Sequence, residues 1–135
     1  ERATMEQNLG AMRSAVALQM AARLVKGNPE GAAAMAGENP MRYMSETPFN
    51  YLGELDGPEP AAIEEGSWYY DTRQQAMIYR VRNDAFFRTP LDGPPRARFR
   101  IEPVFDKSAS QTKYLAGLVV RPLEKYKWLK SSSEK

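Results

Sequence analysis

At 135 residues, with 42% apolar and 27% charged side chains, the chain has the make-up of one globular domain with a single modest core. Its formal charge of +2 is nearly balanced, so no global field argues for nucleic acid or a membrane surface. With neither cysteine nor histidine it has no disulfide framework, no thiolate, and none of the imidazoles most used for acid–base work and transition-metal binding near neutral pH.

Met5, Leu9, Met12, Val16, Met20 and Leu24 recur at spacings of three or four and predict an amphipathic helix over Glu1 to Lys26. Arg2, Glu6, Arg13 and Arg23 lie off the apolar stripe, and interspersed alanines add helix propensity. Gly27 followed by Asn28-Pro29 is a sharp stop. The start is soft. Thr4 with Gln7 makes only a weak capping box, and Glu1-Arg2-Ala3 reads as helix, so the helix is expected to continue upstream.

Residues 27–66 read as a connecting loop packed on the helix, with short helical turns at Glu30 to Ala36 and Pro40 to Met44 and a turn-rich stretch around Asp56-Gly57-Pro58-Glu59-Pro60. From Ser67 the period changes to two. Strands are expected at Trp68 to Thr72, through Met77, Tyr79 and Val81, over Arg96 to Glu102, and from Tyr114 to Arg121, the last apolar enough to be covered on both faces. In the third, Ala97, Phe99 and Ile101 point one way and Arg96, Arg98 and Arg100 the other, as in a sheet with one wet face. Residues 131–135 read as a frayed polar tail. The expected architecture is α+β: one domain over 1–130, with a long N-terminal amphipathic helix packed on a four-stranded antiparallel sheet over 67–130.

That order, with Asn39-Pro40, then Pro48-Phe49-Asn50-Tyr51-Leu52-Gly53-Glu54, then Gly66-Ser67-Trp68-Tyr69-Tyr70-Asp71, and the opening run Met12-Arg13-Ser14-Ala15-Val16, resembles type IV pilins and the pseudopilins of type II secretion systems. The resemblance implies a structural subunit of a filament, facing the periplasm and held in the bacterial inner membrane by a segment ahead of Glu1. The family's hallmark, a Gly-Phe-type processing site, a glutamate and about 20 apolar residues, is expected there. The chain lacks the cysteine pair that closes the C-terminal loop of many pilins, which fits a pseudopilin or minor pilin better than a major one. Other pilin or pseudopilin subunits are the implied partners, met through the helix face that misses the sheet.

Among candidate sites, the arginines Arg80, Arg82, Arg96, Arg98 and Arg100 could contact DNA phosphates or an acidic partner, against the simpler reading of a solvated strand face. Met5, Leu9 and Met12 could form an assembly face, against core packing. Trp68-Tyr69-Tyr70 could make a ligand platform, against a strand with its ends buried and Tyr69 on the surface. The loop Asp106 to Gln111, with Asp92 second, is the place to inspect for calcium, although one Asp beside a Lys falls short of six to eight oxygens. Glu64-Glu65 is the one adjacent carboxylate pair, and sequence neighbours point apart. No catalytic, metal-binding or cofactor-binding residue is nominated, and an enzyme is not expected. The alternative is a small binding module that docks a protein or nucleic acid through its sheet face or arginine row.

Overall fold

A computed structural model describes residues 1–130; the polar tail at 131–135 lies outside them. Helix α1 runs Arg2–Val25, one residue inside each expected boundary, so Thr4 is helix interior and not a cap. Its stop is the expected one. Gly27 takes φ 72°, its N–H donates to Leu24 O (3.0 Å), and Asn28 N–H donates to Arg23 O (2.9 Å). These paired bonds, closed by a left-handed residue, make a Schellman cap. Asn28 then caps the short helix α2, Pro29–Ala33, and Asn39 caps a 3-10 turn at Pro40–Tyr43.

The strands are β1 (Tyr51–Leu55), β2 (Trp68–Asp71), β3 (Ala76–Arg80), β4 (Phe87–Arg88), β5 (Arg96–Lys107), β6 (Lys113–Pro122) and β7 (Lys127–Trp128). Five of them form one sheet in the order β1-β2-β3-β5-β6, while β4 and β7 pair separately. The expected four-strand antiparallel sheet is therefore corrected to a mixed sheet of five. The added strand, β1, lies in the stretch read as loop and runs parallel to β2. Its signal was hidden because Gly53 sits inside it at φ 98° and the pairing register shifts there.

Parallel neighbours need a crossover of about a dozen residues, and residues 56–67 supply it across the sheet's outer face. This explains a second correction. Tyr69 is not on the surface: it is buried in an outer cluster with Ile63 from the crossover, Ala76 and Ile78. The inner face carries Trp68, Tyr70, Met77, Tyr79, Phe99, Ile101, Leu118 and Val120, on which α1 lays Met5, Leu9, Met12 and Val16. Trp68 is the hub, with ring centroids 5.0 Å from Tyr79 and 5.9 Å from Phe99. Each of these large side chains contributes about 1.5–3 kcal/mol by leaving water.

Strand β6 is an edge strand, not one covered on both faces; its outer residue Val119 is partly exposed. The β5–β6 hairpin also runs past its expected end, to a turn at 108–112, so that Phe105 and Tyr114 stand in solvent beyond the helix-covered part.

Candidate functional site

The outward face of α1 is the first feature without a structural purpose inside the chain. Gly10, Ala11, Ser14, Ala17, Leu18, Ala21, Ala22 and Val25 are all exposed, Leu18 at 73% and Val25 at 87%, and none carries charge. A solvated helix face ordinarily carries charged or polar residues. Here the charges are held at the flanks. Arg2 pairs with Glu6 at 3.1 Å, Arg13 donates twice to Val120 O on the edge strand (3.2 and 3.0 Å), and Arg23 donates to Gly31 O at 2.7 Å with its guanidinium 5.5 Å from the Tyr43 ring centroid. By contrast Met5, Leu9 and Met12, the candidate assembly residues, are in the core and present no surface. Their three-and-four spacing marks the face that meets the sheet.

The start of α1 is pinned to the sheet by a residue that the sequence did not single out. The Glu1 carboxylate accepts from Tyr79 Oη (2.8 Å), Arg82 N (2.7 Å), Asn83 N (2.8 Å) and Asn83 Nδ2 (3.0 Å). Burial raises its pKa, but the hydrogen bonds together outweigh that and hold the carboxyl below the usual range. Burial and the bond to Glu1 push the Tyr79 phenol well above its ordinary value. No periodic pattern could have announced this contact, since the partners are about eighty residues away.

The arginines of the row keep partial exposure, Arg82 most of all, and their guanidinium groups are engaged within the chain. Arg96 donates to Asp92 O and Pro94 O, Arg100 to Gln75 O and Gln74 O, and Arg82 to Glu65 O. Arg80 donates to Val81 O and lies 3.7 Å from Glu65. Arg98 reaches Gln74 Oε1 at 2.6 Å and forms an ion pair with Glu124, through Nε at 2.7 Å and also through Nη2. Register places Arg98 opposite Ile78 and Arg96 opposite Arg80, so their stems flank the outer apolar cluster while their heads tie turns to the sheet. This use of the donors weakens the case for phosphate contacts, which need them free.

The remaining candidates do not converge. Trp68 and Tyr70 are buried, Trp68 donating to Asn8 Oδ1 (3.2 Å) and Tyr70 to Gly37 O, so this run presents no aromatic platform to solvent. Asp106 accepts from Lys107 N, the 108–112 turn is closed by Ser108 and Thr112, and among the described residues no group of three or more acidic, cysteine or histidine side chains comes together. Glu64 is exposed and is not paired with Glu65, which approaches Arg80.

A second feature missed in the sequence is Phe49, 99% exposed, just ahead of β1. Two shallow hollows flank it, and Arg82 lines both. A broader groove of about 530 Å³ opens between α1 and residues 43–46, lined by Ala11, Ala15, Leu18, Tyr43, Met44 and Glu46 among others. Among the described residues no helix is long and apolar enough to cross a membrane. Set against family models, curated proteins and solved structures, the chain matches none.

Proposed function

We propose that this chain is a structural subunit, a pseudopilin or minor pilin of a type II secretion or type IV pilus assembly, facing the periplasm and held at the inner membrane by a segment ahead of Glu1. One observation carries the reading: the uncharged, small-residue outward face of α1. Small side chains let helix backbones approach closely, and a long helix whose outer face lacks charge is suited to packing beside other helices. The covered inner face gives the subunit a rigid body from which that surface is presented. Contacts between unlike patches of successive subunits would then propagate into an open filament. The arginines Arg96, Arg98 and Arg100 are tied into the chain's own turns and strands.

Two measurements test it. Mass spectrometry of the chain made from its own start codon should find an apolar segment with a prepilin-type cleavage ahead of Glu1; a native chain beginning at or near Glu1 ends the proposal. In cells, Ala17→Glu should block copurification with other subunits while the isolated domain keeps its stability; undiminished copurification counts against it.

A further inference from the structure

We propose that Arg88 and Lys127, facing each other on the outer side of the β4–β7 ribbon, bind the phosphate groups of anionic lipids, an inference that rests on the subunit reading and names the surface that meets the membrane. The register pairs the two residues directly, with Phe87 and Trp128 buried on the other side. Like charges opposite one another across a strand pair repel and destabilise it. Among the described residues neither side chain has an acceptor, an ion pair or a ring beneath it.

The same juxtaposition recurs in the large sheet and is relieved within the chain each time. Arg80 faces Arg96, but Arg80 lies 3.7 Å from Glu65 and Arg96 donates to Asp92 O and Pro94 O. Arg100 faces Arg121; the first donates to Gln75 O and Gln74 O, and the second lies 3.8 Å from Glu102. Lys107 faces Lys113, whose ammonium sits 4.6 Å from the Phe105 ring centroid. The ribbon differs in leaving both cations of a facing pair without a partner among the described residues. Nearby acids do not fill the need. Glu1 is spent on Tyr79, Arg82 and Asn83, Glu6 on Arg2 and Glu124 on Arg98. Asp84 and Asp92 flank β4 on either side of Arg88, and neither forms an ion pair with it.

Position selects the lipid. The ribbon meets the start of α1 at a hollow of about 330 Å³, lined by Glu1, Arg2, Asn83, Phe86, Trp128 and Leu129. The subunit reading puts the membrane ahead of Glu1, so this corner is the membrane-proximal end. Phe86 is 40% exposed there, and an aromatic ring beside cations suits the headgroup level of a bilayer. A guanidinium takes a phosphate through two parallel N–H donors, and the facing ammonium adds a point charge.

Cosedimentation of the chain with lipid vesicles is the test. At low salt, binding to equimolar phosphatidylglycerol–phosphatidylcholine vesicles should exceed binding to phosphatidylcholine alone by about tenfold. Lys127→Glu should remove about that factor while the urea midpoint stays level or rises, because it sets an acid opposite Arg88. Lys107→Glu makes the same charge change at the tip of the β5–β6 hairpin, about 36 Å along β5 from Arg96, and should cost less than about twofold. Equal losses from the two variants, or no preference for phosphatidylglycerol, overturn the contact. So does binding of duplex DNA that Lys127→Glu abolishes in a chain that ignores the vesicles, which would assign the pair to nucleic acid. No lipid preference in a chain whose native form carries an apolar segment ahead of Glu1 sinks this contact and leaves the subunit reading standing. A preference kept by a chain that begins natively near Glu1 ends the subunit reading and leaves the lipid contact in place.

Discussion

Glu1 and Tyr79, 78 residues apart in sequence, are joined by a 2.8 Å hydrogen bond from the phenol to the carboxylate that starts α1. The same carboxylate takes the backbone N–H groups of Arg82 and Asn83, so one side chain closes the turn after β3 and fixes where the helix sits on the sheet. The helix is thus held by an apolar stripe along its length and by a polar pin at Glu1.

That pin makes stability depend on pH with a definite sign. Because the folded-state pKa of Glu1 is lowered, its contribution is present above the ordinary carboxyl value of 4.5 and is lost as pH falls through the folded value. Glu1→Gln should lower the unfolding free energy by about 1–2 kcal/mol at pH 7, and the gap between variant and parent should be smaller at an acid pH well under the ordinary carboxyl value of 4.5. Urea midpoints at the two pH values read this directly, and a gap that persists unchanged in acid would show that the carboxylate charge is not what matters.

The two faces of α1 should respond oppositely to truncation. Met12 is completely buried, and Met12→Ala should cost about 2–5 kcal/mol through lost burial and a residual cavity. Leu18 projects outward at 73% exposure, so Leu18→Ala should stay within about 0.5 kcal/mol. Thermal or urea unfolding of both variants, measured together, checks the assignment of the faces.

Arg98 and Glu124 form the most enclosed ion pair among the described residues, with the second oxygen of Glu124 buried and unpartnered. Removing Arg98 strands that carboxylate. Arg98→Ala should cost about 2–3 kcal/mol, and adding Glu124→Gln should recover part of the loss, because the penalty of a buried unpaired charge exceeds the net worth of the pair. A double-mutant cycle with no coupling would mean the pair is effectively solvated.

For nucleic acid, the engaged donors of Arg96, Arg98 and Arg100 lead to a negative expectation. A gel-shift series with duplex DNA should show no complex at physiological salt, and any low-salt retardation should be insensitive to replacing the three with Ala. A complex at physiological salt that the triple variant abolishes would restore the binding-module alternative.

The helix and its stop were legible because both are local: a three-and-four apolar spacing, and Gly27 ahead of Asn28-Pro29. Strands β2, β3 and β5 were legible for the same reason, since each is a short run with period-two alternation or aromatic enrichment. Strand β1 was not, because Gly53 interrupts its alternation and its partner lies across a crossover. The burial of Tyr69 followed from that same crossover. Arg96, Arg98 and Arg100 were found at the right positions, but their donors are spent on turns that only the folded chain brings near.

The sequence alone determined that α1 is amphipathic and which residues make its apolar stripe, since a 3.6-residue period needs no partner to be recognised. It could not tell that Met5, Leu9 and Met12 are fully consumed by the sheet, or that the side opposite is left exposed and uncharged. That allocation was decided by the tertiary structure. Exposure is a property of what lies across from a residue, and for Glu1 the groups that decide it lie about eighty residues away in the chain.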